Sequence, residues 1–274
     1  MHDLARVLSW LRDVASDRAE RRVAVPGGLA LLHSQFPDAH DHNRLLLWFS
    51  VDATTAAASA DAVLGGAGLR HRLIEVQDAG LADSLQPGLE GLGYRRSTDQ
   101  LMVYRPSERV AQLMDPQAAP RRRPTERRPL GPGSGAVTLE ELDLGERAAA
   151  AAETWQAEQP TWPAGVVAQL GGRIRTIRSA AQATFLACRD DEGAVLARAD
   201  LYVRDGLAQV EEVVTAPRAR ERGLASALVL EAARRGRAAG CDLVFLVADA
   251  DERPAELYRR LGFADLGRTA SFTR

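Results

Sequence analysis

Hydrophobic positions along this chain recur with two periods, and the change between them marks its elements. Leu4, Val7, Leu8, Leu11 and Val14 follow helical spacing behind Asp3, a candidate N-cap, and predict an amphipathic helix over 3–16. Pro26-Gly27-Gly28 reads as a turn, 29–33 as a short strand and 34–44 as a polar loop. The run 45–51 does not alternate, which predicts a strand buried on both faces. Helix 55–65, strand 70–77, helix 81–92 and strand 95–104 follow. Beyond residue 135 the pattern predicts strand 136–139, helices 145–157 and 164–178, and strands 183–189, 194–204 and 207–215 joined by tight turns. A helix from Leu224, a buried strand over 241–248 and a short helix over 254–261 complete the pattern.

The two halves echo each other. Ala67-Gly68, a strand, Asp78, a helix and Leu92-Gly93-Tyr94 are matched by Ala239-Gly240, a strand, Asp249, a helix and Leu261-Gly262-Phe263. Between them, 106–135 gathers prolines and arginines, including Arg121-Arg122-Arg123, as an extended inter-domain linker does. The expected organisation is therefore a domain over 1–105, a Pro/Arg-rich linker over 106–135 and a second domain over 136–274.

Composition narrows the classes. A net charge of −2 and a linker without interleaved aromatic residues argue against nucleic acid as a partner. No apolar run is long enough to span a membrane, so a soluble, cytoplasmic protein is expected, as monomer or homodimer. Cys188 and Cys241 are too few for a disulfide framework and read as buried thiols. His33, His40 and His42 with Asp38 and Asp41 match no zinc spacing, so no metal is expected. All 35 basic residues are arginine, and the chain has no lysine side chain of its own to modify.

The chemistry concentrates in 209–225, where a strand rich in β-branched residues stops at Pro217, an arginine-rich turn follows, and a helix opens after Gly223. The first N–H groups of that helix point outward with the positive end of its dipole, so the turn can hold a phosphate or pyrophosphate. No Lys-Ser/Thr pair follows Gly223, which excludes a P-loop and weakens the reading as a nucleotide-binding domain.

Arg220-x-x-Gly223-x-Ala225 resembles the acyl-CoA pyrophosphate loop of the GNAT N-acetyltransferase superfamily, and Leu257-Tyr258-x-x-x-Gly262-Phe263 resembles that family's later signature. The resemblance covers about 136–274 and implies an α/β (α+β) fold: a mixed, mostly antiparallel sheet flanked by helices, with a degenerate GNAT-like domain before it. It implies acetyl-CoA as acyl donor and a primary amine of a small molecule or peptide as acceptor. Arg220, Glu221, Arg222, Gly223, Leu224 and Ala225 would hold the pyrophosphate. Val213, Val214 and Thr215 would line the pantetheine through their backbone, in a gap between splayed strands. Tyr258 would protonate the departing thiolate. For the base the resemblance points to a glutamate on the same strand; the position used by the histone-acetylating branch is Gln209, which cannot serve. Glu211 and Glu212 remain, on opposite faces of a regular strand, with Glu211 preferred unless a bulge exchanges them. Trp155 and Trp162 would border the acceptor pocket or simply pack in the core. The first half has neither glycine nor arginine in Val51-Asp52-Ala53-Thr54 and places Leu89 where Tyr258 stands, so a structural or substrate-shaping role is expected of it. The competing reading is a non-catalytic, acyl-CoA-binding regulatory protein.

Overall fold

The structure is a computed structural model that describes residues 2–107, 137–250 and 254–274. The linker beyond residue 107 lies outside the described residues. The first half runs α1 (His2–Arg18), β1 (Arg21–Val25), β2 (Gly28–Leu32), β3 (Arg44–Leu47), α2 (Ala53–Ala60), β4 (Leu73–Val76), α3 (Ala79–Gly91) and β5 (Arg95–Tyr104). The second runs β6 (Thr138–Leu142), α4 (Leu144–Glu158), α5 (Ala164–Gly172), β7 (Gln182–Arg189), β8 (Val195–Arg204), β9 (Leu207–Thr215), α6 (Leu224–Ala238), β10 (Leu243–Asp249), α7 (Pro254–Arg260) and β11 (Phe263–Thr273).

Several segments depart from the pattern, among them the strand expected over 70–77, which is only Leu73–Val76, and the helix expected over 55–65, which widens into a π turn from Asp61. The exposed strand β1 escapes the pattern, because Arg21 and Arg22 leave too few apolar positions to alternate. The strand expected over 45–51 is only Arg44–Leu47, and the helix expected over 164–178 stops at Gly172 and tightens into 3-10 turns through Ser179. Cys188 and Cys241 are both buried free thiols.

The fold is mixed α/β: one eleven-stranded, mostly antiparallel sheet in the order β1-β2-β3-β4-β11-β5-β10-β9-β8-β7-β6. The halves interlock at its centre. Strand β5 pairs with β10 of the second half, β11 pairs with β4 of the first, and β5 and β11 run antiparallel side by side. On either side of that pair stands one parallel couple, β3 with β4 and β9 with β10. The internal echo of the sequence is thus an approximate two-fold relation whose halves exchange their last strands. The matched glycines share one backbone state: Gly68, Gly93, Gly240 and Gly262 all have φ between 76° and 95°, a region closed to most side chains.

Alternation along the central strands sorts the core. Met102, Tyr104, Val210 and Leu246 face α6 and α7, while Ile74, Val76, Ala270 and Phe272 pack with α2 and α3 on that same face. Leu101, Val103, Tyr202, Leu207 and Phe245 face the other way, toward Val7, Trp10 and Val14 of α1. Trp10 stands edge-on to Phe245 at 5.2 Å and donates its Nε1–H to the Arg204 carbonyl, fixing α1 across the sheet. Among the described residues no helix is long and apolar enough to cross a membrane.

Candidate active site

The parallel ladder between β9 and β10 ends at Val210 and Leu246, although β9 continues to Thr215 and β10 to Asp249. A notch therefore opens between them, edged on one side by 211–215. Its cause is local. Glu212 adopts φ 53°, and the β8–β9 register slips between the pairs Asp200–Glu211 and Arg198–Val214. An extra residue in one strand bends and twists it away from its neighbour.

The bulge also corrects the expectation that the two glutamates point to opposite faces. Glu211 and Glu212 line one small cavity with Arg147 and Arg173, on the α1 side. Their surroundings then separate them. Glu212 is gripped by Arg173 at 2.8 Å, Arg198 at 3.0 Å and Arg147 at 3.4 Å. Burial alone would raise its carboxyl, but Arg198, Arg173 and Arg147 outweigh that and hold it below the usual range. Glu211 makes no ion pair among the described residues, and the Arg18 guanidinium lining the same cavity only partly offsets its other surroundings. Burial, followed by the charge of Glu212, pushes its carboxyl up to about 8. The buried Gln209 side chain donates an N–H to it.

Beneath this pair lies a network with no trace in the motifs. Arg147 of α4 and Asp200 of β8 are 2% and 0% exposed in their side chains and joined by two hydrogen bonds of 2.7 and 2.8 Å. Tyr202 donates its hydroxyl to the same carboxylate at 2.7 Å. The only signals in the sequence are an arginine at the start of an alanine run and an aspartate in an otherwise apolar strand.

Tyr258 lies on the opposite face, in α7, packed edge-on to Phe263 at 6.1 Å and only 8% exposed. Burial and then the Glu211 charge raise its phenol to about 12, so the two groups sense each other across the notch. Leu89, its counterpart in the first half, is fully buried in apolar surroundings.

At the mouth of the notch, one 3-10 turn over Pro217–Ala219 leads into Glu221 and Gly223, both with positive φ, 62° and 76°. Gly223 precedes α6 as its N-cap and supplies no side-chain cap. A Cβ at Gly223 would meet nothing within 4 Å, so glycine is required there by its backbone angle and the space beyond it is open. Arg218 and Arg220 are exposed beside it, the latter reaching the Thr215 carbonyl at 3.4 Å. Val214 and Thr215 border a cleft of about 190 Å³ shared with Thr154 and Arg218, while Val213 packs on the core under α6. The equivalent helix in the first half differs in one decisive respect. Asp52 caps α2, accepting from the Thr55 N–H at 2.9 Å and its hydroxyl at 2.7 Å. A carboxylate already occupies the position an anion would take.

The remaining candidates have structural surroundings. Trp155 stacks on Trp162 at 5.8 Å, packs against the Phe36–Leu170 cluster and lies under the Arg173 guanidinium at 5.9 Å. Asn43 organises the polar loop 34–44 by donating to the Phe36 and Ala39 carbonyls. His40 stacks on His71 at 3.8 Å, and His42 contacts Arg18 and Thr176. This loop docks the first half against the second, through Asp41 with Arg173 and Asp38 with Gln169. No group of three or more metal-ligating side chains converges among the described residues.

Residues 148–263 match the sequence model of the acetyltransferase (GNAT) family. Among solved structures, a GCN5-related N-acetyltransferase from Kribbella flavida superposes with a TM-score of 0.61 at 20% identity, covering 98% of this chain and 94% of that one. A functionally unknown conserved protein from Staphylococcus epidermidis gives 0.65 at 12% identity, with 93% of both chains covered. A tandem GNAT protein from the clavulanic acid biosynthesis pathway gives 0.53 at 15% identity, over 81% of this chain and 67% of that one. No curated protein sequence matches. The bulged strand, the notch, the uncapped helix behind Gly223 and the Leu257–Phe263 signature all fall within the matched segment, and the chain carries a domain of the GNAT acetyltransferase family.

Proposed function

We propose that the protein is an acetyl-CoA-dependent N-acetyltransferase acting on a primary amine of a small molecule or peptide, by direct attack in a ternary complex. The observation that carries this reading is the notch: an uncapped helix N-terminus at its mouth, Glu211 on one face and Tyr258 on the other. Acetyl-CoA supplies a thioester whose acyl group is transferred and whose thiolate departs. The residues of this chain fit it. The backbone N–H groups at the start of α6, with Arg218, Arg220 and Arg222 nearby, would hold its phosphates. The unpaired edge over 211–215 would pair with its amide groups, and an N–H there would polarise the carbonyl under attack. Glu211, ionised, takes a proton from the attacking nitrogen, and the Tyr258 hydroxyl gives one to the departing sulfur. Glu212 holds the bulge in place through its three arginines and stays out of the proton transfers. The first half, with Asp52 already on its helix, binds no acetyl-CoA and shapes the acceptor side.

Two measurements test the donor side. Gly223→Glu forces a side chain into left-handed backbone, at about 1–2 kcal/mol, and sets a carboxylate before the helix N-terminus. Acetyl-CoA affinity should fall at least about 100-fold by calorimetry, roughly the sum of the lost phosphate contacts and the added repulsion. An unchanged affinity in a folded variant would remove the loop from the site. Tyr258→Phe keeps the ring against Phe263 and loses only the hydroxyl. The kcat should fall by roughly 10- to 100-fold, with water as a substitute donor, and KM for acetyl-CoA should hold. A stable variant with unaltered kcat, under conditions where chemistry limits turnover, would refute the role.

A further inference from the structure

A cavity of about 400 Å³ lies between α1 and the centre of the sheet, and Glu211 stands at one end of it. Farther along it come the strands the two halves exchange, with Asp99 of β5 and Thr269 of β11, direct partners across the sheet, and beyond them Glu75 of β4 and Arg44 of β3. Leu11 and Val14 from α1 and Leu101 and Val247 from the sheet give its lining an apolar part, beside the polar side chains of Arg18, Tyr202 and Gln209.

The charges in the cavity are unevenly satisfied. Arg44 is paired with Glu75 at 2.7 Å, Asp41 with Arg173 at 3.5 Å, and Arg18 bonds to Thr176 and His42. Asp99 has no hydrogen bond or ion pair among the described residues. Burial, then the nearby charges of Glu75 and Asp249, push its carboxyl up to about 6. Thr269 is only 5% exposed, and its hydroxyl makes no hydrogen bond among the described residues. Thr269 lines the cavity, so its hydroxyl is open to a molecule held there. Asp99 and Glu211 are two strands and two residues apart in register, at least about 12 Å between their Cα atoms. Two carboxyl groups without an ion-pair partner, facing one cavity with apolar side chains between them, complement a molecule with an ammonium at each end of an aliphatic chain.

We propose that the acceptor is a linear aliphatic diamine whose non-reacting ammonium is held by Asp99 and the Thr269 hydroxyl. This rests on the acyl-transfer reading of the notch, in which Glu211 receives the proton of the other amine. The degenerate half thereby supplies substrate selection: Asp99 belongs to its last strand.

The test pairs calorimetry with thiol release from acetyl-CoA, using 1,4- to 1,8-diaminoalkanes and the alkylamines of equal length. At least one diamine should bind roughly tenfold or more tighter than its monoamine, the usual worth of a charge-assisted hydrogen bond in a recessed site. Asp99→Asn should bring the two within about twofold. Its Tm at pH 8 should not fall, because the lost charge is one its neighbours repel. Thr269→Val, of equal shape, should narrow the same ratio by less. No diamine advantage in the wild type, or an advantage that survives Asp99→Asn, overturns the proposal. Asp99-dependent diamine binding without thiol release would leave the subsite standing and sink acyl transfer. Thiol release as ready with monoamines as with diamines would do the reverse.

Discussion

Glu211→Gln should lower kcat/KM for amine acetylation by about 100- to 10,000-fold, the usual contribution of a positioned general base. Acetyl-CoA affinity should stay within about twofold, because the pyrophosphate and pantetheine contacts proposed here use backbone and arginine. Glutamine keeps the shape of the side chain and its contact with Gln209, so the loss would report the proton acceptor alone. The pH profile supplies the sharper check. With its carboxyl near 8, Glu211 is mostly protonated at neutral pH. Wild-type kcat/KM should therefore climb with pH up to about 8, and the limb set by Glu211 should vanish in the variant. Tyr258, near 12, stays protonated throughout and adds no falling limb in this range. A variant retaining wild-type turnover, or the same limb, would take Glu211 out of the mechanism.

The same shift predicts an opposite effect on stability. The folded carboxyl sits above its unfolded value, so folding favours the protonated form. Its contribution is fully present below about 4.5 and is lost as pH rises through about 8. Glutamine never ionises, so the Tm of Glu211→Gln should gain on the wild type across that window. A site that burdens the fold where it is active fits a group kept for chemistry.

Much of this was legible in the sequence because it rests on local backbone chemistry. The Val-rich strand, Pro217, Gly223 and the helix after it appear where the pattern places them, since each is fixed by propensity and backbone angle. The echo between the halves was legible for the same reason: its glycines mark left-handed turns. Strand exchange was not. Nothing in the alternation of β5 or β11 says which neighbour a strand will choose, and either pairing buries the same residues. The disposition of the glutamates was hidden too, because a bulge depends on the partner strand: Ala199 of β8 has no single residue opposite it on β9. Asp99 gave no sign, since its meaning comes from Thr269, distant in sequence and adjacent in the sheet.

Arg147→Ala should destabilise the protein by about 3–5 kcal/mol, the usual effect of removing one member of a buried ion pair. For a chain of this size that lowers Tm by roughly 6–20 °C. The cost comes from what is left behind. Asp200 is fully buried, and burial already raises its carboxyl although Arg147 opposes this with two hydrogen bonds. Without the guanidinium, only the Tyr202 hydroxyl and the more distant Arg198 would compensate the charge. The sign of the pH dependence follows. A folded carboxyl raised further above its unfolded value contributes stability that is present at low pH and lost as pH rises. The deficit of the variant relative to wild type should therefore shrink on acidification and grow toward neutral pH. Removing the charge at both ends, as Arg147→Met with Asp200→Leu and Tyr202→Phe, should recover most of the lost Tm, since apolar side chains of similar volume often replace buried pairs at little cost. It should not recover activity in full, because Glu212 would keep only Arg173 and Arg198 to fix the bulge that aims Glu211 into the notch. If the triple variant regains both Tm and wild-type kcat/KM, the network is scaffold alone and the bulge stands without it.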